Sequence, residues 1–433
     1  MYKKYKPYPL VHLTHRKWPS NIITKAPVWA STDLRDGNQA LVEPMDAAQK
    51  LVYFQILVSL GFKEIEIAYP SASQTDFDFC RKLITEGHIP DDVRISVLTP
   101  AIERHIRRSF EALKGAQNII MHLYNPTADN QRQIVFKKSK KEIIALALEG
   151  TRIIKEEAAH FVGEVMFEYS PESFSQTELA FARDVVNGVI SQWNPSEETP
   201  MVINLPNTLE ACTPNIYADR IEWMSAQMVM RDRVILSVHP HNDRGTAVAS
   251  AEMALLAGAQ RVEGTLLGNG ERAGNADLVT LAFNLYSQGI DPMLDVRAID
   301  TALETITQLT RLPIPKRHPY VGEKIYTAYS GTHQDAIKKG LEYQEVALDG
   351  YWHVPYLAID PRDIGRDYHD VVRINSQSGK GGVAYVLKRY YAIDIPKAMQ
   401  AKVAARVQRL SEAKGGEIAP EEVFEAFKQV CLA

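Results

Sequence analysis

Hydrophobic positions along this chain fall into short runs of strand length, separated by stretches in which apolar residues recur at helical spacing. The runs are VWAST (28 to 32), EIEIAY (64 to 69), RISVLT (94 to 99), NIIMHLY (118 to 124), EVMFEY (164 to 169), MVINLP (201 to 206), VILSVHPH (234 to 241) and RVEGTLLG (261 to 268). Most of these eight are continuously apolar, as parallel strands covered on both faces are. The segments between them carry helix signals. After the second run, Ser73 and Thr75 offer N-caps, Asp76 and Asp78 suit the first turn, Phe77, Cys80, Leu83 and Ile84 form an apolar stripe, and Gly87 supplies the stop. After the seventh, Gly245 leads into AVASAEMALLAGA, which ends at Gly258. Strand and helix alternating eight times predict an α/β fold, a (β/α)8 TIM barrel, because right-handed crossovers of similar length close at that number. A doubly wound sheet is the alternative, and no GxGxxG follows the first run to favour its dinucleotide-binding form.

Past about Tyr320 the pattern changes. Residues 323 to 390 mix short helices with the loop-rich WHVPYLAIDPRDIGRDYHD and the glycine-rich SQSGKGGV, and residues 391 to 433 read as two amphipathic helices around the Gly415-Gly416 turn. The predicted organisation is an N-terminal arm (1–26), the barrel (27–322) and two C-terminal α-rich subdomains (323–390 and 391–433).

Composition narrows the function classes. Lysine and arginine (49) nearly balance aspartate and glutamate (53), and a net charge of −4 creates no general field for nucleic acid or an anionic membrane. Cys80, Cys212 and Cys431 are far apart and in no CxxC pairing, which points to reduced thiols used for packing. No apolar run reaches membrane-spanning length, and the basic start MYKKYKPYPL is followed by no apolar signal core, so the expectation is a cytoplasmic protein.

In such a barrel the catalytic groups stand at the C-terminal ends of the strands. Read in order, those ends offer Arg35-Asp36-Gly37, His122, Glu172, Thr208, His239 with His241, and the loop GNGERAGN with Asn275. His239 and His241 are at i and i+2 of a strand, so both imidazoles point to one face and can share an ion. Two oxygens from Asp36 and Asn275 complete a set that leaves two of about six octahedral positions open. A 2-oxo acid could chelate there through ketone and carboxylate, with Arg35 placed to stabilise the developing oxyanion. Taken singly, each position has a plainer explanation: a salt-bridged turn for Arg35-Asp36-Gly37, a core histidine for His122, a helix cap for Glu172, a turn for the glycine loop.

Several stretches resemble signatures of a known family. STDLRDGNQAL (31 to 41), NLPNTLE (204 to 210), HPHNDRGTAVA (239 to 249), LLGNGERAGN (266 to 275), SGTHQDAI (330 to 337) and NSQSGKGGV (375 to 383) look like those of the long-type α-isopropylmalate synthases, from about Pro27 to Ala433. The resemblance implies a Claisen condensation of acetyl-CoA with 2-oxoisovalerate and thioester hydrolysis to 2-isopropylmalate and CoA, the first committed step of leucine biosynthesis. It implies Asp36, His239, His241 and Asn275 as ligands of a divalent metal, magnesium or manganese with zinc as an option, and admits potassium as an activator. Arg35 and Glu172 would act on the ketone and in proton relay, and His122, Ser170, Asn204, Pro206 and Thr208 would line the oxo-acid pocket. The loop Gly268, Gly270, Glu271, Arg272 and Gly274 would face acetyl-CoA. His333 and Tyr368, in the first appended subdomain, would reach the barrel of a partner subunit, which makes a homodimer with shared sites the expected assembly.

Two features depart from the family pattern. The chain stops at VCLA, where long-type synthases continue into a leucine-binding domain, so that domain is expected to be absent. Ala273 stands where threonine is common, and Ser175-Gln176 where a smaller pair is common. The rival readings are a sister enzyme condensing another 2-oxo acid (a citramalate, homocitrate or other alkylmalate synthase), a metal-dependent barrel hydrolase, which would carry its HxH on the first strand, and a non-catalytic paralogue.

Overall fold

The computed structural model describes residues 4, 8–366 and 372–431. Eight parallel strands, β1 (Val28–Ser31), β2 (Glu64–Ala68), β3 (Arg94–Pro100), β4 (Asn118–Pro126), β5 (Glu164–Glu172), β6 (Met201–Asn207), β7 (Val234–Pro240) and β8 (Arg261–Gly264), pair in chain order and close through β8 onto β1. Each apolar run of the sequence is one of these strands, so the (β/α)8 architecture is as the periodicity predicts. Helices α1 (Ala47–Ser59), α2 (Gln74–Thr85), α3 (Glu103–Leu113), α4 (Lys140–His160), α5 (Leu179–Trp193), α6 (Pro214–Gln227), α7 (Ala247–Leu256) and α8 (Leu278–Tyr286) form the outer ring. Their starts follow local chemistry: Asp46 with Gln49 and Ser139 with Glu142 close capping boxes, and Ser73 accepts the N–H of Asp76.

Inside the barrel the side chains change character along the strands. The lowest layer is apolar, with Ile120, Met166 and Val202 packed together and Ile235 against them. Two residues further along comes an ionic layer, where Arg261 donates to Glu64 (2.6 Å), Glu168 (3.0 Å) and Glu263 (2.7 Å) and is 1% exposed. Above it lie the polar ends of the strands. The layers follow from the period of two, which sends i, i+2 and i+4 of every strand inward.

The chain divides into two compact units, Met1–Asp295 with Glu304–Leu312, and Val296–Leu303 with Pro313–Ala433. In the first, the N-terminal arm lies along α6, with Arg16 and the Trp18 indole N–H both donating to Asp219 (2.6 and 2.8 Å). The second contains α10 (Gly331–Gln344), α11 (Lys380–Tyr391), α12 (Lys397–Lys414) and α13 (Pro420–Cys431), while α9 (Ile299–Thr310) runs across the division in sequence. Within the second unit the signatures SGTHQ and SQSGKGG knit together. Buried Gln334 donates to Ala328 O (3.0 Å), Arg373 O (2.8 Å) and Ser378 Oγ (3.2 Å), and a Cβ at Gly331 would stand 2.5 Å from Gly379 N. No described helix is long and apolar enough to cross a membrane.

Candidate active site

The stretch DLRDG after β1 is a π-helical turn, Asp33–Gly37, in which the N–H groups of Arg35, Asp36 and Gly37 all donate to Thr32 O. Such turns are uncommon and cluster at functional sites. This one places the side chains of neighbouring residues Arg35 and Asp36 in contact, with Arg35 Nη1 donating to Asp36 Oδ1 at 2.9 Å. Opposite them, β7 delivers His239, and His241 follows as a bridge residue paired with Asn275.

Four donor atoms converge. His239 Nε2 lies 3.4 Å from Asp36 Oδ2 and 3.2 Å from Asn275 Oδ1, and His241 Nε2 lies 3.8 Å from the same Asp36 oxygen. His239 gives its Nδ1–H to Glu263 Oε2 (2.8 Å), which leaves a lone pair at Nε2 facing two oxygens. That nitrogen can take either a proton or a metal ion. Burial opposes the charge, but the hydrogen bonds to Asp36 and Glu263 prevail and push His239 up to about 9. Burial and the neighbouring His239 hold His241 down to about 3, so it stays neutral, with its Nδ1 buried and unpartnered among the described residues. Asp36 is also buried, yet the Arg35 guanidinium and both histidines keep its carboxyl well below the ordinary range. Adjacent octahedral ligands at bond lengths of ~2.1 Å stand roughly 3 Å apart. The spacing, the opposed lone pairs and the mixed N and O donors fit a divalent cation.

Below this set a second layer fixes it. Glu66 accepts from Arg35 Nε on one oxygen and bonds His122 Nδ1 (2.7 Å) on the other; His122 Nε2 meets Ser170 Oγ (2.7 Å), which also accepts from Asn204 Nδ2 (3.1 Å). Asn204 Nδ2 donates as well to Glu263 Oε2 (2.9 Å), closing a circuit from Arg35 to His239. Glu66, His122 and Glu263 offer atoms within 4.8 Å of one another, another potential ligand cluster. Arg35 and Arg261 already neutralise it and its bonds are made, so it works as a scaffold.

Arg35, Asp36, His239, His241 and the network of His122, Ser170, Asn204 and Glu263 line a cavity of about 370 Å³ at the C-terminal ends of the strands. Its wall carries Asp36, Glu172, Glu263 and Glu271 against Arg35 and Arg272, an acid excess that favours a cation.

The chain matches the HMGL-like family over residues 26–306 and the family described as alpha-isopropylmalate synthase, post-catalytic domain-like, over 323–388. It is 55% identical over 430 residues to the 2-isopropylmalate synthase of Parvibaculum lavamentivorans, covering 99% of this chain and 76% of that protein. The 2-isopropylmalate synthase of Clostridium acetobutylicum is 49% identical over 435 residues, covering 100% of this chain and 78% of the relative. The chain belongs to the 2-isopropylmalate synthase family. The barrel also resembles the hydroxymethylglutaryl-CoA lyase of Pseudomonas aeruginosa, with a TM-score of 0.55 at 18% identity, covering 67% of this chain and 95% of that one, which shows a shared fold.

Within this synthase-family barrel, the remaining residues singled out from the sequence have distinct places. His122, Ser170, Glu172, Asn204, Pro206 and Thr208 all line the cavity. Burial raises Glu172 above the usual carboxylic range, against smaller opposing effects of Gln131 and Arg35. Thr208 Oγ1 accepts Ser173 N–H (2.9 Å), leaving its hydroxyl hydrogen for a ligand. In the loop after β8, Gly274 has φ +93°, and a Cβ there would meet Gly268 O at 2.0 Å. These two glycines let the turn close and present Asn275; a Cβ at Gly270 would strike the Asn275 amide at 2.7 Å. His333 is exposed on α10, stacked on Tyr356 with ring centroids 4.0 Å apart. Tyr368 lies outside the described residues. Sequence reasoning missed Glu66, Glu263, Leu98, Tyr69 and Tyr124. Tyr69 follows a register shift in β2, and its hydroxyl meets that of Tyr124 at 3.3 Å on the cavity wall.

Proposed function

We propose that this barrel condenses acetyl-CoA with 2-oxoisovalerate and hydrolyses the thioester to give 2-isopropylmalate and CoA. The observation that carries the reading is the convergence of Asp36, His239 and His241, on the cavity wall beside Arg35, with Asn275. A divalent ion, magnesium, manganese or zinc, held by those four residues would supply Lewis acidity toward the ketone and carboxylate of the oxo acid. Potassium as an activating ion is a separate part of the proposal.

The chain's own groups then have definite tasks. Arg35 is clamped between Asp36 and Glu66, so its guanidinium is already oriented when negative charge develops on the ketone oxygen. Preorganised donors of this kind lower the barrier by about 3 to 4 kcal/mol. Thr208 donates its free hydroxyl hydrogen to the substrate carboxylate, while His122, Ser170, Asn204 and Pro206 border the alkyl group. The loop Gly268–Gly274, with Glu271, faces the thioester. Glu172 relays protons between the reacting carbons and solvent. His333 and Tyr368 remove the methyl proton or activate water from a neighbouring subunit of a homodimer.

Release of CoA, followed with a thiol reagent across a panel of 2-oxo acids, tests the reading. The highest kcat/KM is expected with 2-oxoisovalerate and manganese or magnesium. Higher efficiency with pyruvate or 2-oxoglutarate would overturn the substrate assignment.

A further inference from the structure

Among the buried carboxylates of the first unit, Glu210 takes no part in the site described so far. It is 2% exposed, and among the described residues its carboxylate is met by backbone and hydroxyl donors and by no lysine or arginine side chain. Its charge is met by the segment entering α7. Arg244 N donates to Oε2 at 2.5 Å, Thr246 N at 3.5 Å, the Thr246 hydroxyl bonds Oε1, and Ser250 Oγ approaches Oε1 at 3.5 Å. Backbone donors and the positive end of the helix dipole together stabilise such an anion. The backbone N–H of Glu210 in turn donates to Asp243 Oδ2 (3.0 Å). Asp243 holds Arg272 through Nε (2.7 Å) and Nη2 (3.1 Å), and Arg272 Nη2 also donates to Thr208 O.

Three loops are thereby tied to one another. The β6 loop carries Thr208, the β7 loop carries His241, whose N–H donates to Asn207 O (3.3 Å), and the β8 loop carries Arg272 and Asn275. We infer that Glu210 and the Asp243–Arg272 pair are positioning residues: Glu210 sets the β7 loop that presents His241, and Arg272 sets Thr208. The inference rests on the proposed oxo-acid reaction only for Thr208; the His241 half stands on metal binding alone. It gives Arg272 a different task from contact with the thioester. Its guanidinium is engaged by Asp243 and by the β6 carbonyl, so removing it releases the loop that grips the oxo acid.

Two readouts test this on the full-length protein, with circular dichroism to verify folding. The first is titration of the metal-free protein with Co²⁺, followed by its visible absorption and by calorimetry. Glu210→Ala should weaken Co²⁺ binding by about tenfold or more and shift the absorption bands, as loss of groups that orient metal ligands does. Glu210→Gln, which keeps an acceptor oxygen for part of the donor set, should recover much of the affinity. The second readout is KM for each substrate. Arg272→Ala should raise KM for 2-oxoisovalerate by roughly tenfold and leave KM for acetyl-CoA and Co²⁺ affinity near those of the parent. Wild-type Co²⁺ affinity and spectrum in both Glu210 variants would overturn the first half. A rise in KM for acetyl-CoA alone would overturn the second and return Arg272 to thioester binding. If the parent protein turns over no 2-oxo acid, the functional proposal fails and with it the Thr208 half, while the Co²⁺ titration still decides Glu210.

Discussion

At the scale of single residues, the site is governed by which atoms are left without protons. Glu263 fixes the ring of His239 and Glu66 fixes that of His122, so each imidazole presents a chosen nitrogen upward. Asp36, His239 and His241 were legible because i, i+2 histidines on a strand declare a common face. Glu66 and Glu263 were not, since EIEIA and RVEG read as ordinary strands. The available signal was a carboxylate recurring inside otherwise apolar strands whose inward positions a closed barrel buries. Glu172 carries a testable consequence. Its folded-state pKa is raised, so it loses its proton at a higher pH than an ordinary carboxylic acid. As a proton relay that must be ionised to accept, it places the acidic limb of kcat/KM above the ordinary carboxylate range, with activity lost as pH falls through that limb. Glu172→Gln should abolish the limb and lower kcat by about 10²- to 10⁴-fold. A pH profile of the variant superposable on that of the parent would refute the role.

At the scale of elements, all eight strands and the Ser73 cap of α2 were visible in the sequence, because period, length and turn residues agreed there, whereas the capping boxes at Asp46 and Ser139 were passed over. Less visible was the form of the connections. DLRDG looked like a turn and is a π-helical one, and the glycines of GNGERAGN close their own loop, as the plainer reading of them as a turn had it, around an Asn275 that composition does not point to. The ionic layer was equally hidden, since its partners lie far apart in sequence. Arg261 is the one arginine or lysine that pairs with Glu64, Glu168 and Glu263 among the described residues. Burial drives Glu168 to hold its proton, with Arg261 opposing and Glu263 reinforcing that tendency. Arg261→Met should therefore leave buried carboxylates without a counter-charge and cost about 3 to 5 kcal/mol. Urea unfolding at pH 7 measures it, and a loss below about 1 kcal/mol would show that the layer reorganises freely.

At the scale of the whole molecule, the family signatures divide between the two compact units. Those of the first build the cavity, whereas SGTHQ and SQSGKGG are tied to each other in the second through the buried Gln334. His333 stands exposed there, and the proposal that it serves a neighbouring subunit's barrel makes a quantitative prediction. Asp36→Ala and His333→Ala should each be nearly inactive alone. After exchange of subunits in an equal mixture, half the dimers are mixed and each has one intact site, so about a quarter of the parental activity should return. Activity that stays at the background of the two variants would exclude sharing.

The central claim is that one cation gripped by Asp36, His239, His241 and Asn275 makes the cavity a condensing site. The most direct measurement is CoA release from acetyl-CoA and 2-oxoisovalerate after chelation and dialysis, with manganese then returned to the parent protein and to the His239→Ala, His241→Ala double variant. The account predicts no turnover without metal, recovery in the parent, and none in the double variant. Full turnover by the stripped parent, or recovery in the variant, would contradict it.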